Sequence, residues 1–414
     1  MKASALGLSI LLALQTGAQT PSLTPAQWRE DLAYLARELP RRHKNLYHTV
    51  SKQTLDQRIA DLDAEIPKLA PHQIVVRMRQ LTALVGDGHT GLSLPPWFTV
   101  YPVAMVWFGR ELRVTAGSPE YRNALGAKVI GIGNLTLDQA MARINTTHPS
   151  AANENEWFVM ATSPAMIRPE ILHALGIIPS VTGPAAFRLQ DDQGKQFTVD
   201  VVPVPAPQVV NGAFGFTGFA TVATQQPLFR QEPGQQFWFT LLPDSQTVYV
   251  NWRSYRGLGD QARRLFAFVD SVKARRLVID LRQNGGGDFF EGRRHMVEPV
   301  KKRLELNQKD RLFVLVGRRT YSAAMVNAID FRKETNATLV GEPIGERPNS
   351  YSENDELTLP NSRVVVSYST RYYKFLDQDV PAVLPDMRID PDWVSFRAGR
   401  DPVLEWVQSR PRGP

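Results

Sequence analysis

The chain has 414 residues, 43% of them hydrophobic and 21% charged, which suits a soluble protein with a large core and more than one domain. Its formal charge of +7 is scattered over short clusters such as RRHK at 41–44 and KARR at 273–276, with no basic stripe interleaved with aromatics, so no nucleic-acid partner is expected. With no cysteine, the chain has no disulfide framework, thiol nucleophile, thiolate metal site or lipid-bearing Cys.

In chain order, MKASALGLSILLALQTGAQT (1–20) has one Lys, a short apolar run and then small residues. That is the build of a secretory signal peptide, and it predicts an exported, periplasmic or extracellular protein with no integral span after cleavage. Residues 21–95 carry three amphipathic helical patterns, LTPAQWREDLAYLARELP, SKQTLDQRIADLDAEIPKL and PHQIVVRMRQLTALV, the last running into GDGHTGL. Within 96–205, TVYPVAMVWFGRELRVTAG reads as a hairpin turning at Gly109. A strand, a turn and a helix opening at Thr136 follow, then an irregular insertion over 148–184 and a second strand pair around DDQG. This texture suggests a small peptide-binding β-domain. Pro- and Gln-rich residues 206–240 read as a linker. From 241 to 400 strand and helix alternate, which predicts a mainly parallel sheet with crossover helices, and 401–414 is left as a C-terminal tail.

Functional groups in such sheets gather at the carboxyl ends of strands. Two loops leave such ends: Asn284-Gly285-Gly286-Gly287-Asp288 after RRLVIDLR, and Thr320-Tyr321-Ser322 after RLFVLVG. Successive glycine N–H groups suit an oxyanion hole, or else a tight turn. Ser322 at a helix start is either an ordinary cap or a nucleophile, and as a nucleophile it needs a base. Of seven histidines, His89 stands out, because glycines bracket it in V-G-D-G-H-T-G at a helix-to-strand junction. No clustered acid/His set is evident in the sequence, so no metal site and no cofactor are expected.

LVIDLRQNGGGD, TYSAAMVNAIDF, LVGEPIGERPNSYSE and LTLPNSRVVVSYST, in that order, resemble the tail-specific, or C-terminal processing, serine peptidases. The likeness is nearest the branch that includes the tricorn core peptidase. The resemblance implies an α+β multidomain protein, with a crotonase/ClpP-like α/β catalytic core, an N-terminal helical region and a PDZ-like β-domain. It implies hydrolysis of a polypeptide substrate, with binding by the substrate's C-terminus as an option, and Ser322 as nucleophile. Relatives that use a Lys base would place it near Arg347, and an arginine cannot accept a proton at physiological pH. The tricorn-like branch takes its base from the N-terminal region, where GDGHT supplies His89. That branch's orienting carboxylate falls on Asp379 in DQDVPAVLPD, with Asp377 as its rival, and the oxyanion donors fall on Gly286 and Ala323. A Ser–Lys pair using Lys374 is a further option. A non-catalytic binder of peptides or apolar ligands on the same fold is the alternative.

Overall fold

The computed structural model describes residues 19–148, 156–206, 220–223 and 225–411. Nearly all of the expected signal peptide, and 207–219 of the expected linker, lie outside them. Among the described residues no helix is long and apolar enough to cross a membrane.

The three N-terminal patterns form helices at Pro25–Arg42, Lys52–Glu65 and Pro71–Ala83. Thr24 and Ser51 cap the first two through their hydroxyls, satisfying N–H groups that a helix start leaves without partners. Their apolar faces bury Trp28, Leu32, Leu62, Ile74 and Met78 in one core. The chain then turns through Gly86–Thr90 into a short strand, Gly91–Leu92.

The middle of the chain is a seven-stranded, mainly antiparallel sheet with helix Leu137–Asn145 on it. The hairpin Val103–Phe108/Glu111–Gly117 turns at Gly109 with φ +55°, a conformation glycine adopts without strain.

The third unit is a six-stranded sheet, ordered Phe237–Leu241, Thr247–Trp252, Arg276–Asp280, Leu312–Val316, Thr338–Gly341, Met387–Arg388. Only its first pair is antiparallel. Alternate residues serve opposite faces, as strand geometry requires. Leu312, Val314 and Val316 pack toward helices Leu258–Ser271 and Ala323–Glu334, while Phe313 and Leu315 pack against Val403, Leu404 and Val407. The stretch taken as a tail is thus a helix, Pro402–Ser409, that covers the second face of the sheet. It is tied in by Arg282, whose guanidinium bridges Asp280 and Asp401 at 2.6 and 2.7 Å.

One element joins the first and third units. The hairpin Asn349–Thr358/Val365–Lys374 follows strand Thr338–Gly341 of the six-stranded sheet, yet its Leu357, Leu359, Val364, Val366 and Tyr368 are buried among the N-terminal helices. Its tip is pinned by the buried Asp31 carboxylate, which accepts the Asn361 and Ser362 N–H groups at 2.7 and 2.8 Å. Its second strand pairs antiparallel with Gly91–Leu92, Gly91 opposite Ser367. That pairing carries the GDGHT loop to the third unit.

Candidate active site

Ser322 ends the turn between strand Leu312–Val316 and helix Ala323–Glu334. Its backbone is at φ +52°, ψ −126°, a region that a residue with a Cβ seldom occupies and that costs on the order of 1–3 kcal/mol. Surrounding bonds hold it there. Tyr321 N–H donates to the Asn284 carbonyl at 3.0 Å, Thr320 Oγ1 donates to the Leu281 carbonyl at 2.9 Å, and the Ser322 N–H donates to Glu346 Oε2. The Ser322 side chain makes no helix-capping hydrogen bond. Its Oγ lies instead 3.3 Å from His89 Nε2, across 233 residues of sequence.

The His89 ring is 8% exposed and stacks on Tyr321 at 5.1 Å, which in turn stacks on Phe158 at 4.7 Å. Nδ1 lies 3.6 Å from Glu346 Oε1, and the Glu346 side chain is 2% exposed. A carboxylate beside Nδ1 favours the tautomer protonated there, which leaves the Nε2 lone pair facing Ser322. Burial pushes the imidazole down to about 4, with the Asp87 charge opposing the shift, so the ring is neutral and able to accept a proton at pH 7.

Asp379 does not stand beside His89. Its side chain is 68% exposed and its hydrogen bonds go to Arg347 Nη2 at 3.5 Å. Asp377 is exposed as well. Both follow the hairpin in a loop at the surface, whereas Glu346 precedes it, in the loop leaving strand Thr338–Gly341. The position in sequence was a poor guide because a carboxylate can reach the ring from either end of the hairpin. The missed signal was Glu346 itself, next to the arginine in GEPIGERPN and just past the carboxyl end of the neighbouring strand.

Gly286, expected as an oxyanion donor, has its N–H engaged elsewhere. The Gly286 N–H donates to Asn284 Oδ1 at 2.9 Å within its own loop. Gly286 serves instead as a close-approach residue: a Cβ there would come 2.6 Å from Ser322 Cβ. Gly287 and Ala323 both line a cavity of about 320 Å³ with Ser322 and Glu346. Ala323 opens the helix, where N–H groups face outward and favour negative charge. The rest of the cavity wall mixes the apolar and aromatic side chains of Phe289, Phe290, Met325, Val326, Tyr373 and Phe375 with the polar Asp288, Ser352 and Glu353. Lys374 is exposed and sits opposite Asn349 in the hairpin.

Among the described residues, His43, His48 and Asp87 are the group of side chains close enough to share a metal ion, and they lie behind the histidine loop rather than in the cavity.

No family model matches the chain, and no curated protein matches it in sequence. Solved structures do match it. A mutant of CPAF aligns over 94% of this chain and 98% of its own, at 11% identity and a TM-score of 0.60. The photosystem II D1 C-terminal processing protease covers 88% and 93% at 15% identity with a TM-score of 0.42. The tricorn protease covers 93% of this chain and 36% of its own, at 12% identity and a TM-score of 0.41. The chain therefore shares the α+β multidomain fold of CPAF over 94% of its length. Its structural neighbours include peptidases of the tail-specific kind.

Proposed function

We propose that the chain is a serine peptidase that cleaves polypeptides through an acyl-enzyme. Ser322 Oγ attacks the scissile carbonyl as neutral His89 Nε2 takes the hydroxyl proton. Glu346 holds the proton on Nδ1 and faces the imidazolium that forms. The N–H groups of Ala323 and Gly287 receive the oxyanion, and loss of one such donor typically costs about 100–1000-fold in rate. As the C–N bond breaks, His89 returns the proton to the leaving amine. Water then attacks the ester with His89 again as base, releasing the acid and restoring Ser322.

The observation that carries this reading is Ser322 itself. A serine held at positive φ, with its hydroxyl 3.3 Å from a buried neutral imidazole and not capping its helix, spends backbone strain on exposing that oxygen. A binding protein of the same fold has no need of that strain. The cavity beside Ser322, with Phe289, Phe290 and Phe375 in its wall, suits an apolar side chain of the substrate. We assign the six-stranded unit to a crotonase/ClpP-like core and the seven-stranded unit to a PDZ-like domain, and residues 1–20 to an export signal.

The test is fluorophosphonate labelling and hydrolysis of an unfolded protein by wild type, Ser322→Ala and His89→Ala. Label on Ser322 with turnover lost in both variants is the expected result. Label that persists in Ser322→Ala sinks the nucleophile, and unchanged turnover in His89→Ala sinks the base.

A further inference from the structure

Behind the histidine loop lies a buried polar cluster that the chemistry above does not use. The Asp87 carboxylate is 3% exposed and fully surrounded. Its Oδ1 accepts the His89 backbone N–H at 3.2 Å and the Ser369 hydroxyl at 2.7 Å. Its Oδ2 lies 2.9 Å from His43 Nε2 and 3.5 Å from His48 Nε2. The other side of His89 is held too, since Ser367 Oγ donates to the His89 carbonyl at 2.8 Å.

Two histidines and a carboxylate so close together also have the makings of a divalent-cation site, with ligand atoms within 4.8 Å of one another. The tautomer of His43 argues against it. The Asn45 N–H donates to His43 Nδ1 at 2.9 Å, so Nδ1 carries a lone pair and the ring proton sits on Nε2, aimed at Asp87. A nitrogen that bears a proton has no lone pair for a cation. Burial alone would push the Asp87 carboxyl up, but hydrogen bonds from His43, His48 and Ser369 outweigh it and keep the group ionised.

We propose that Asp87 is a positioning residue, whose carboxylate joins His43 of the N-terminal unit, Ser369 of the long hairpin and the His89 N–H at one point, and thereby sets the aim of the His89 ring at Ser322. The proposal rests on the reading of Ser322 and His89 as nucleophile and base. The hairpin belongs to the same stretch of chain as the nucleophile, and the N-terminal helices precede the base. Asp87 is thus where the two halves of the site are registered. Its charge also bears on the base, because it opposes the burial that depresses the His89 imidazole. Around that ring stand Glu346, Tyr321 and Ser322 on the far side, with His43 and His48 beyond Asp87.

The experiment compares Asp87→Asn with Ser369→Ala, a milder change that leaves His43 on the carboxylate. In Asp87→Asn, fluorophosphonate labelling of Ser322 slows about 10–100-fold, the loss expected of a misaimed group. KM for a peptide stays within about twofold, because the substrate cavity is untouched. The acid limb of the labelling rate moves to lower pH, a change that simple loosening would not produce. In both variants the backbone amides of 85–92 exchange hydrogen faster than in wild type. A wild-type labelling rate with an unmoved acid limb in Asp87→Asn overturns the proposal. So does a stoichiometric divalent cation in the purified protein that Asp87→Asn loses. If wild type neither labels nor turns over, the peptidase reading fails by itself. Exchange over 85–92 then still tests the clasp: faster exchange in Ser369→Ala supports it, and unchanged exchange overturns it.

Discussion

The nucleophile turn and the histidine loop reach the same cavity by different means. Ser322 is placed by its own neighbourhood: the strand before it, the helix after it and the glycine loop one strand away all belong to one sheet and one core. His89 has local support only from Asp87 in its own loop. Its loop leaves the N-terminal helices, and it meets the serine only because the hairpin Asn349–Lys374 packs on those helices and pairs with Gly91–Leu92. The difference teaches that chemistry and strain are built locally, while alignment is a long-range property carried by an element with no reacting group of its own.

The comparison can be broken at several strengths. Loss of either partner is the largest effect: Ser322→Ala and His89→Ala each lower kcat by about 10⁴–10⁶-fold, and the double variant is no worse, as expected of residues acting as a unit. Additive losses in single-turnover kinetics would separate the two. Next comes the carboxylate. Glu346→Gln lowers kcat by about 10²–10⁴-fold, because an amide beside Nδ1 no longer favours the productive tautomer or faces the imidazolium as a charge. Asp379→Asn stays within about twofold, since an exposed surface ion pair contributes little. The reverse ranking would restore Asp379 to the site.

The hairpin can be weakened without touching the cavity. Leu359 is fully buried among the N-terminal helices, and Leu359→Ala costs about 2–5 kcal/mol in urea unfolding. Hydrogen exchange in that variant speeds up over 85–92 before it does over 312–330. Equal loss of protection in both stretches would show that they open as one body, with no separate support for the histidine loop.

Acid should act on both activity and stability. Burial lowers His89 to about 4, so the acid limb of kcat/KM lies well below the ordinary histidine value near 6.5. His72 and His148 are also held down to about 4 by burial, with the charge of a neighbouring ring or guanidinium adding to it. Below pH 6.5 the unfolded chain takes up protons that the folded chain refuses. The stability present above that pH therefore falls as pH drops toward 4. Denaturant midpoints at pH 7 and pH 4.5 check the sign. The last change concerns specificity: Met325→Trp fills part of the cavity and shifts preference from large to small apolar side chains by about 10–200-fold in relative kcat/KM. An unaltered ranking across a peptide series would mean that another surface receives that side chain.

What the sequence disclosed follows the same division. The parallel sheet, the glycine loop and Ser322 were legible because each is written in consecutive residues with local periodicity. His89 was legible through the glycines around it and through the resemblance, although nothing in its neighbourhood says where its loop goes. Glu346 was missed because only the three-dimensional path of the hairpin decides which flanking carboxylate meets the ring. Gly286 was taken as a donor because three successive glycines look alike until Asn284 folds back onto one of them. The helix Pro402–Ser409 was taken for a tail because three buried apolar residues are too few to announce a covered sheet face.

The hairpin's place in the chain has a consequence for synthesis. A ribosome delivers His89 first and Ser322 more than two hundred residues later, while the strand that pairs with Gly91–Leu92 comes out only after residue 365. A nascent chain stopped at 345 would hold the serine and the histidine but neither Glu346 nor the strand that brings them together. The proposed site would then be completed only once residues 346–374 have left the ribosome, well after both of its reacting residues.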